Sequence, residues 1–296
     1  MSKKAVFEGA AVALITPFND DLSINYDEFG KIIEDQIING TDALVICGTT
    51  GEASTMTDEE HIECIRYSVE CAKGRVPVIA GTGSNDTDYA IWLSKEAEKA
   101  GADALLVVTP YYNKCTQKGL IAHFTAIADS VNIPIILYHI PGRTGVTMQP
   151  QTIYELSKHP RIVGVKDASA NFSSIAKIAE LCGEDFAIYS GNDDQIVPIL
   201  SLGGKGVISV LSNVAPSQTH QIVRSYLDGD TKTARNLQLK YLSLIDALFC
   251  EVNPIPVKAA MEILGCKTKT LRLPLTEAEE STKARLTEEM KKVGLL

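Results

Sequence analysis

The sequence predicts an α/β fold, a (β/α)8 or TIM barrel that carries a C-terminal helical extension. Two observations predict it. Eight short apolar runs recur along the chain: AVALI from residue 11, ALVIC from 43, VPVIA from 76, ALLVV from 104, PIILY from 134, IVGVK from 162, FAIYS from 186 and GVISV from 206. They are near-continuously apolar rather than alternating, as parallel strands covered on both faces must be. Helical patterns with recognisable ends separate them. Residues 25–40 place Phe29, Ile32, Ile33 and Ile37 on one face and stop at Gly40. The next helix opens with Thr57 and Glu60 at capping-box spacing, carries Ile62, Ile65, Val69 and Ala72 on one side, and stops at Gly74. A third fits residues 87–100 before Gly101. Strand and helix in eightfold alternation point to a closed barrel more than to an open sheet.

From about residue 217 the pattern is wholly helical, so the expected layout is a barrel over 1–216 and a helical extension of the same domain over 217–296. A length of 296 residues suits one such domain. The net charge of −9, with no run of Lys or Arg, argues against a nucleic-acid surface. Near the N-terminus Glu8 interrupts a short apolar segment and Pro17 ends it, so neither a signal peptide nor a transmembrane helix is expected. The seven cysteines are odd in number and form no C-x-x-C pair. That usage suggests neither a disulfide framework nor a zinc knuckle, and it fits a reducing, cytoplasmic setting.

Chemistry in such barrels sits at the carboxyl ends of the strands. Those ends read Thr16-Pro17, GTTGE at 48–52, GTG at 81–83, TPYY at 109–112, Tyr138 with HIPGRTG, Lys166-Asp167, SGND at 190–193, and Ser212-Asn213. A lone lysine at a strand end is ordinarily a first solvated residue. At this convergence of polar and glycine-rich loops, Lys166 instead points into a shared mouth. Apolar walls disfavour its ammonium form and leave free amine to attack a carbonyl, as Schiff-base chemistry needs. Tyr138, on the neighbouring strand, is the candidate proton carrier. The GTTGE loop offers hydroxyls and backbone N–H groups that can cradle a carboxylate, and Arg143 can grip a second one in two-pronged fashion. The five histidines lack metal-ligand spacing, and neither a Walker A loop nor a G-x-G-x-x-G fingerprint is present. No metal and no cofactor is therefore expected. The Asp193-Asp194 pair reads as a helix cap.

In this order, GTTGE, TPYY, a tyrosine ending strand 5 before PGRTG, and VGVKDAS resemble the dihydrodipicolinate synthase family, one branch of the pyruvate-dependent lyases and aldolases of the N-acetylneuraminate lyase superfamily. The likeness runs from TPF at 16 through NPIPVK at 253 to LRLPLT at 271. It implies a class I aldolase-type enzyme in which Lys166 forms an imine with pyruvate. The derived enamine attacks L-aspartate 4-semialdehyde, giving the first committed intermediate of lysine and diaminopimelate synthesis. By the same resemblance Tyr138 is the proton donor and acceptor. Thr49 and Tyr112 relay protons, the tyrosine coming from a neighbouring subunit. Thr50 and the backbone at Ile208 form the pyruvate site with Gly191 close by, and Arg143 binds the semialdehyde's carboxylate. The family is usually a homotetramer, a dimer of dimers.

Two departures stand out. His139 follows Tyr138 where asparagine is usual, and it is expected to be tolerated or to perturb the tyrosine. In the family's lysine-feedback site, His61, Asn85 and Tyr111 match. Asp58 replaces a histidine there, and Tyr89 replaces the glutamate that binds the effector's amine, which implies weak or absent lysine inhibition. The rival readings are an N-acetylneuraminate lyase or 2-keto-3-deoxy sugar-acid aldolase, a pyridoxal-phosphate enzyme on Lys166, and a keto-acid sensor without turnover.

Overall fold

The computed structural model describes residues 3–296. Eight parallel strands close into a barrel in sequence order. They are β1 (Gly9–Ala13), β2 (Ala43–Ile46), β3 (Val78–Gly81), β4 (Ala104–Val108), β5 (Ile135–His139), β6 (Ile162–Asp167), β7 (Ala187–Ser190) and β8 (Gly206–Ser209). The first strand lies two residues earlier than its apolar run. Gly9 pairs with Gly206 at the closing seam, whereas Leu14 and Ile15 are buried beyond the ladder. A Cβ at Gly206 would sit 1.8 Å from the Gly9 carbonyl oxygen, so only glycine lets the last strand meet the first.

Around the barrel run α1 (Tyr26–Ile38), α2 (Asp58–Ala72), α3 (Thr87–Lys99), α4 (Gln117–Ser130), the short α5 (Pro141–Thr144), α6 (Pro150–Ser157), α7 (Phe172–Cys182), α8 (Ile196–Ser201) and α9 (Pro216–Leu227). The predicted helices have their predicted ends. Thr57 accepts from the Glu60 N–H while the Glu60 carboxylate accepts from the Thr57 N–H, a complete capping box. Gly40, Gly74 and Gly101 follow their helices with positive φ. Then come α10 (Thr231–Leu248), α11 (Ile255–Ile263) and α12 (Glu280–Val293), which pack on one another and on α9. No helix among the described residues is long and apolar enough to cross a membrane.

Two apolar layers follow from strand alternation. Val12, Leu44, Leu105, Leu137 and Val165 face the helices, and Ala11, Val45, Leu106, Ile136 and Tyr138 fill the barrel. At the amino end of the strands the interior is plugged. Phe7 stacks on Tyr189 with ring centres 4.3 Å apart, and the Tyr189 hydroxyl donates to the Phe7 carbonyl at 2.8 Å. Lys3 donates to the carbonyls of Ser157, His159 and Ile162, ahead of and at the start of β6. The opposite end is left for chemistry.

Candidate active site

In β6, Val165 turns outward to the helices, so Lys166 turns inward. It is the direct partner of Tyr138 in the β5–β6 ladder, and its Nζ lies 4.2 Å from the centre of the tyrosine ring. Both side chains are buried. Burial drives the Lys166 ammonium down to about 8, against the pull of Asp193 and with the help of the Arg143 charge. Burial also pushes the Tyr138 hydroxyl up to about 12, opposed by Arg143 and by a hydrogen bond with the Thr49 side chain. The two environments leave a fraction of neutral amine near neutral pH, next to a phenol that keeps its proton.

A small cleft opens over this pair, and Lys166, Tyr138, Thr49, Thr50, Arg143 and Gly191 all line it. Six sequence-predicted residues therefore meet in one place. Thr49 and Thr50 come from the loop after β2, Arg143 from α5, and Gly191 from the turn after β7. A Cβ at Gly191 would come within 2.7 Å of the Ala168 Cβ, so the close approach of the turns after β6 and β7 needs glycine. Ile208 and Tyr112 do not line this cleft. The Ile208 side chain is packed in the barrel interior, two residues before Val210, which does line it. Tyr112 is 90% exposed with φ 69°, a left-handed conformation uncommon for an aromatic residue.

Sequence reasoning missed Asn253 and Phe249, which reach the cleft from the C-terminal helical region. Asn253 Nδ2 donates to Thr50 Oγ1 at 2.9 Å, and its carbonyl accepts from Arg143 Nη2 at 3.3 Å. Its Oδ1 is buried without a partner. The NPIPVK string was visible, but nothing local in it says that Asn253 faces a strand end far away in sequence. Asp193 does not cap the helical turn it starts. It reaches to the end of β8, where Oδ2 accepts from the Val210 and Leu211 N–H groups at 3.0 and 2.9 Å.

His139 points away from the cleft. Its Nδ1 lies 2.9 Å from Asp167 Oδ2, and its Nε2 accepts from the Met148 N–H at 3.2 Å. That pair of bonds fixes the tautomer with the proton on Nδ1. A neighbouring cleft shares Gly48, Thr49, Leu106 and Tyr138 with the first and is also lined by His61, Tyr89 and Tyr111. Within it His61 Nε2 donates to the Gly81 carbonyl at 2.8 Å, and burial holds the imidazole below its ordinary value. The Tyr89 hydroxyl donates to Asp58 at 2.6 Å. No metal-ligating cluster occurs among the described residues.

Comparison with known proteins identifies the family. Residues 6–293 match the model of the dihydrodipicolinate synthetase family. The chain is 58% identical over 293 residues to a 4-hydroxy-tetrahydrodipicolinate synthase of Lachnoclostridium phytofermentans, covering 99% of this chain and 100% of that protein. A dihydrodipicolinate synthase structure from Aquifex aeolicus superposes with a TM-score of 0.95 at 45% identity, over 98% of this chain and 99% of that one. One from Acinetobacter baumannii, complexed with pyruvate, gives 0.96 at 41% identity over 98% and 99%. An inward lysine beside a buried tyrosine at the mouth of a closed barrel is thus found in a chain that belongs, over nearly its whole length, to the dihydrodipicolinate synthetase family.

Proposed function

We propose that this enzyme is a 4-hydroxy-tetrahydrodipicolinate synthase, a Schiff-base-forming lyase that condenses pyruvate with L-aspartate 4-semialdehyde. The observation that carries the reading is the buried Lys166 amine, held at about 8 and set 4.2 Å from the Tyr138 ring. The neutral amine attacks the ketone carbon of pyruvate and water leaves, forming an iminium. Loss of a methyl proton gives the enamine. Its carbon bonds to the aldehyde carbon of the second substrate while the new alkoxide takes a proton. Attack of that substrate's amino group on the imine carbon then closes the ring and frees Lys166. Tyr138 is the group placed to carry these protons, with Thr49 as its neighbour in the relay. Thr50 and the turn at Gly191 are the proposed cradle for the pyruvate carboxylate, with the backbone at Ile208 beneath. Arg143 is the proposed grip on the semialdehyde's carboxylate.

A sugar-acid aldolase would share Lys166 and pyruvate. Arg143 and its tie to Asn253 favour a carboxylate-bearing acceptor over a polyol. The test is pyruvate-dependent turnover of aspartate 4-semialdehyde, coupled to a reductase that consumes the cyclic product, with Lys166→Ala as control. Turnover that vanishes in the variant supports the reading. An inactive wild type whose Lys166 is still labelled by pyruvate and borohydride keeps the Schiff-base mechanism and overturns the acceptor, and sugar aldehydes are then assayed in its place.

The exposed side chain of Tyr112 supports a second copy of this chain as partner, in a homotetramer built of two dimers. Each copy would then complete its relay with the Tyr112 of its neighbour. Activity per mass should fall as dilution drives the assembly to monomers, and full activity in a monomer rules this out. The seven unpaired cysteines fit a cytoplasmic setting.

A further inference from the structure

Between the barrel mouth and the C-terminal helices lies an ion pair for which the condensation itself has no use. Glu52 Oε1 and Lys258 Nζ are 2.6 Å apart, and the two side chains are 1% and 0% exposed. Glu52 ends the GTTGE loop in the left-handed region, at φ 57°, which a non-glycine residue holds only when its surroundings insist. Its second oxygen accepts from the Arg272 backbone N–H at 3.1 Å, and Lys258 also donates to the Thr270 carbonyl at 2.6 Å. Phe18, from the segment after β1, lies against both cations, with Lys258 Nζ and Arg272 Cζ each 4.4 Å from its ring centre. Lys258 and Arg272 thus both bond one buried carboxylate, and Phe18 packs on the two cations.

Two charges taken out of water add little stability over apolar groups of the same volume, because desolvation offsets their attraction. What a buried pair supplies well is a single geometry. Here the thing held is the loop that bears Thr49 and Thr50, immediately ahead of Glu52 in the chain. A second tie runs beside it, from Asn253 to Thr50, again out of the C-terminal region.

We propose that Glu52 and Lys258 are positioning residues, a strap by which α11 holds the GTTGE loop so that Thr49 meets the Tyr138 hydroxyl and Thr50 faces Lys166. On this reading the C-terminal helices are part of the catalytic apparatus. The proposal rests on the synthase function. Lys166 itself stands on β6, outside the strap, so removing the strap should still let saturating pyruvate reach the imine, while slowing the proton transfers and the carbon–carbon bond formation that set kcat.

The experiment compares wild type, Lys258→Met and the double variant Glu52→Gln/Lys258→Met, which leaves no buried charge unpaired. Each is assayed for kcat and for the KM of both substrates, at a temperature where circular dichroism shows it folded. Borohydride trapping of pyruvate on Lys166 is measured in parallel. The expected result is a 10- to 100-fold loss of kcat and a raised KM for pyruvate, with trapping at saturating pyruvate within about threefold of wild type, as a loop displaced by about an ångström would give. Wild-type kcat in folded double variant overturns the strap, as does failure of both variants to fold, which makes the pair structural. Wild type that traps no pyruvate defeats the synthase reading itself, and the strap with it.

Discussion

His139 and Asp167 bond to each other at 2.9 Å on the outer face of the barrel wall, although each is next in sequence to a residue of the candidate site. Strand alternation separates the two pairs: Tyr138 and Lys166 turn inward, His139 and Asp167 outward. His139→Ala should therefore weaken the fold and spare the chemistry. It strands a buried carboxylate oxygen and the Met148 N–H, at a cost of about 2–4 kcal/mol. Chemical denaturation reads the loss, and kcat/KM with its pH profile should match wild type. A shifted profile would mean that the imidazole reaches Tyr138 after all.

Imine formation should rise with pH through about 8. Below that value Lys166 is mostly protonated and cannot attack, and above it the free amine dominates. The kcat/KM for pyruvate between pH 6 and 9.5 checks this. A flat profile over that range contradicts a lysine held down by burial.

The same burial strains the folded state. A lysine at about 8 when folded and near 10.5 when unfolded leaves the unfolded chain binding more protons between those values, so stability rises with pH across them. Below about 8 the penalty is full, on the order of 3 kcal/mol. Lys166→Met should accordingly be inactive yet more stable than wild type at pH 7. Its advantage should shrink as pH climbs from 8 towards 10.5. Urea midpoints of both proteins at pH 7 and 10 decide the matter.

Lysine should bind weakly or not at all in the cleft beside the site. An effector's ammonium needs a carboxylate there. The nearby Asp58 already accepts from the Tyr89 hydroxyl at 2.6 Å, and no glutamate stands at position 89. Isothermal titration should show no saturable heat at micromolar lysine, and activity should be unchanged. Micromolar binding would show that Asp58 exchanges its tyrosine partner for the ligand.

Much of the fold was legible in the sequence because its determinants are local, and the candidate site was legible in part from strand ends and in part from the ordered motifs that carry the family resemblance. A run such as ALLVV is apolar on both faces only if both faces are covered, and Lys166 could be placed because it ends such a run. What stayed hidden depends on contacts across long stretches of chain. Lys258 sits among apolar neighbours in IPVKAAMEI, a signal that the residue is buried, yet nothing nearby names Glu52 as its partner. Asp193 looked like a cap because a carboxylate at a helix start usually is one, and only the proximity of β8 offered it two better donors. The face chosen by His139 follows from counting along β5 once that strand is known to end at His139.

The stack of Phe7 on Tyr189 has a consequence for how a ligand reaches Lys166. With the amino end of the barrel filled by this pair, Lys166 is approached from the carboxyl end of the strands, where the two clefts meet at Thr49 and Tyr138. On the proposed function, a pyruvate bound to Lys166 would lie deeper in the cleft than an acceptor that enters after it. A semialdehyde that entered first would then obstruct the ketone's route. The expected outcome is that pyruvate binds ahead of its acceptor and that an excess of acceptor slows the enzyme, which initial rates at rising semialdehyde concentration check.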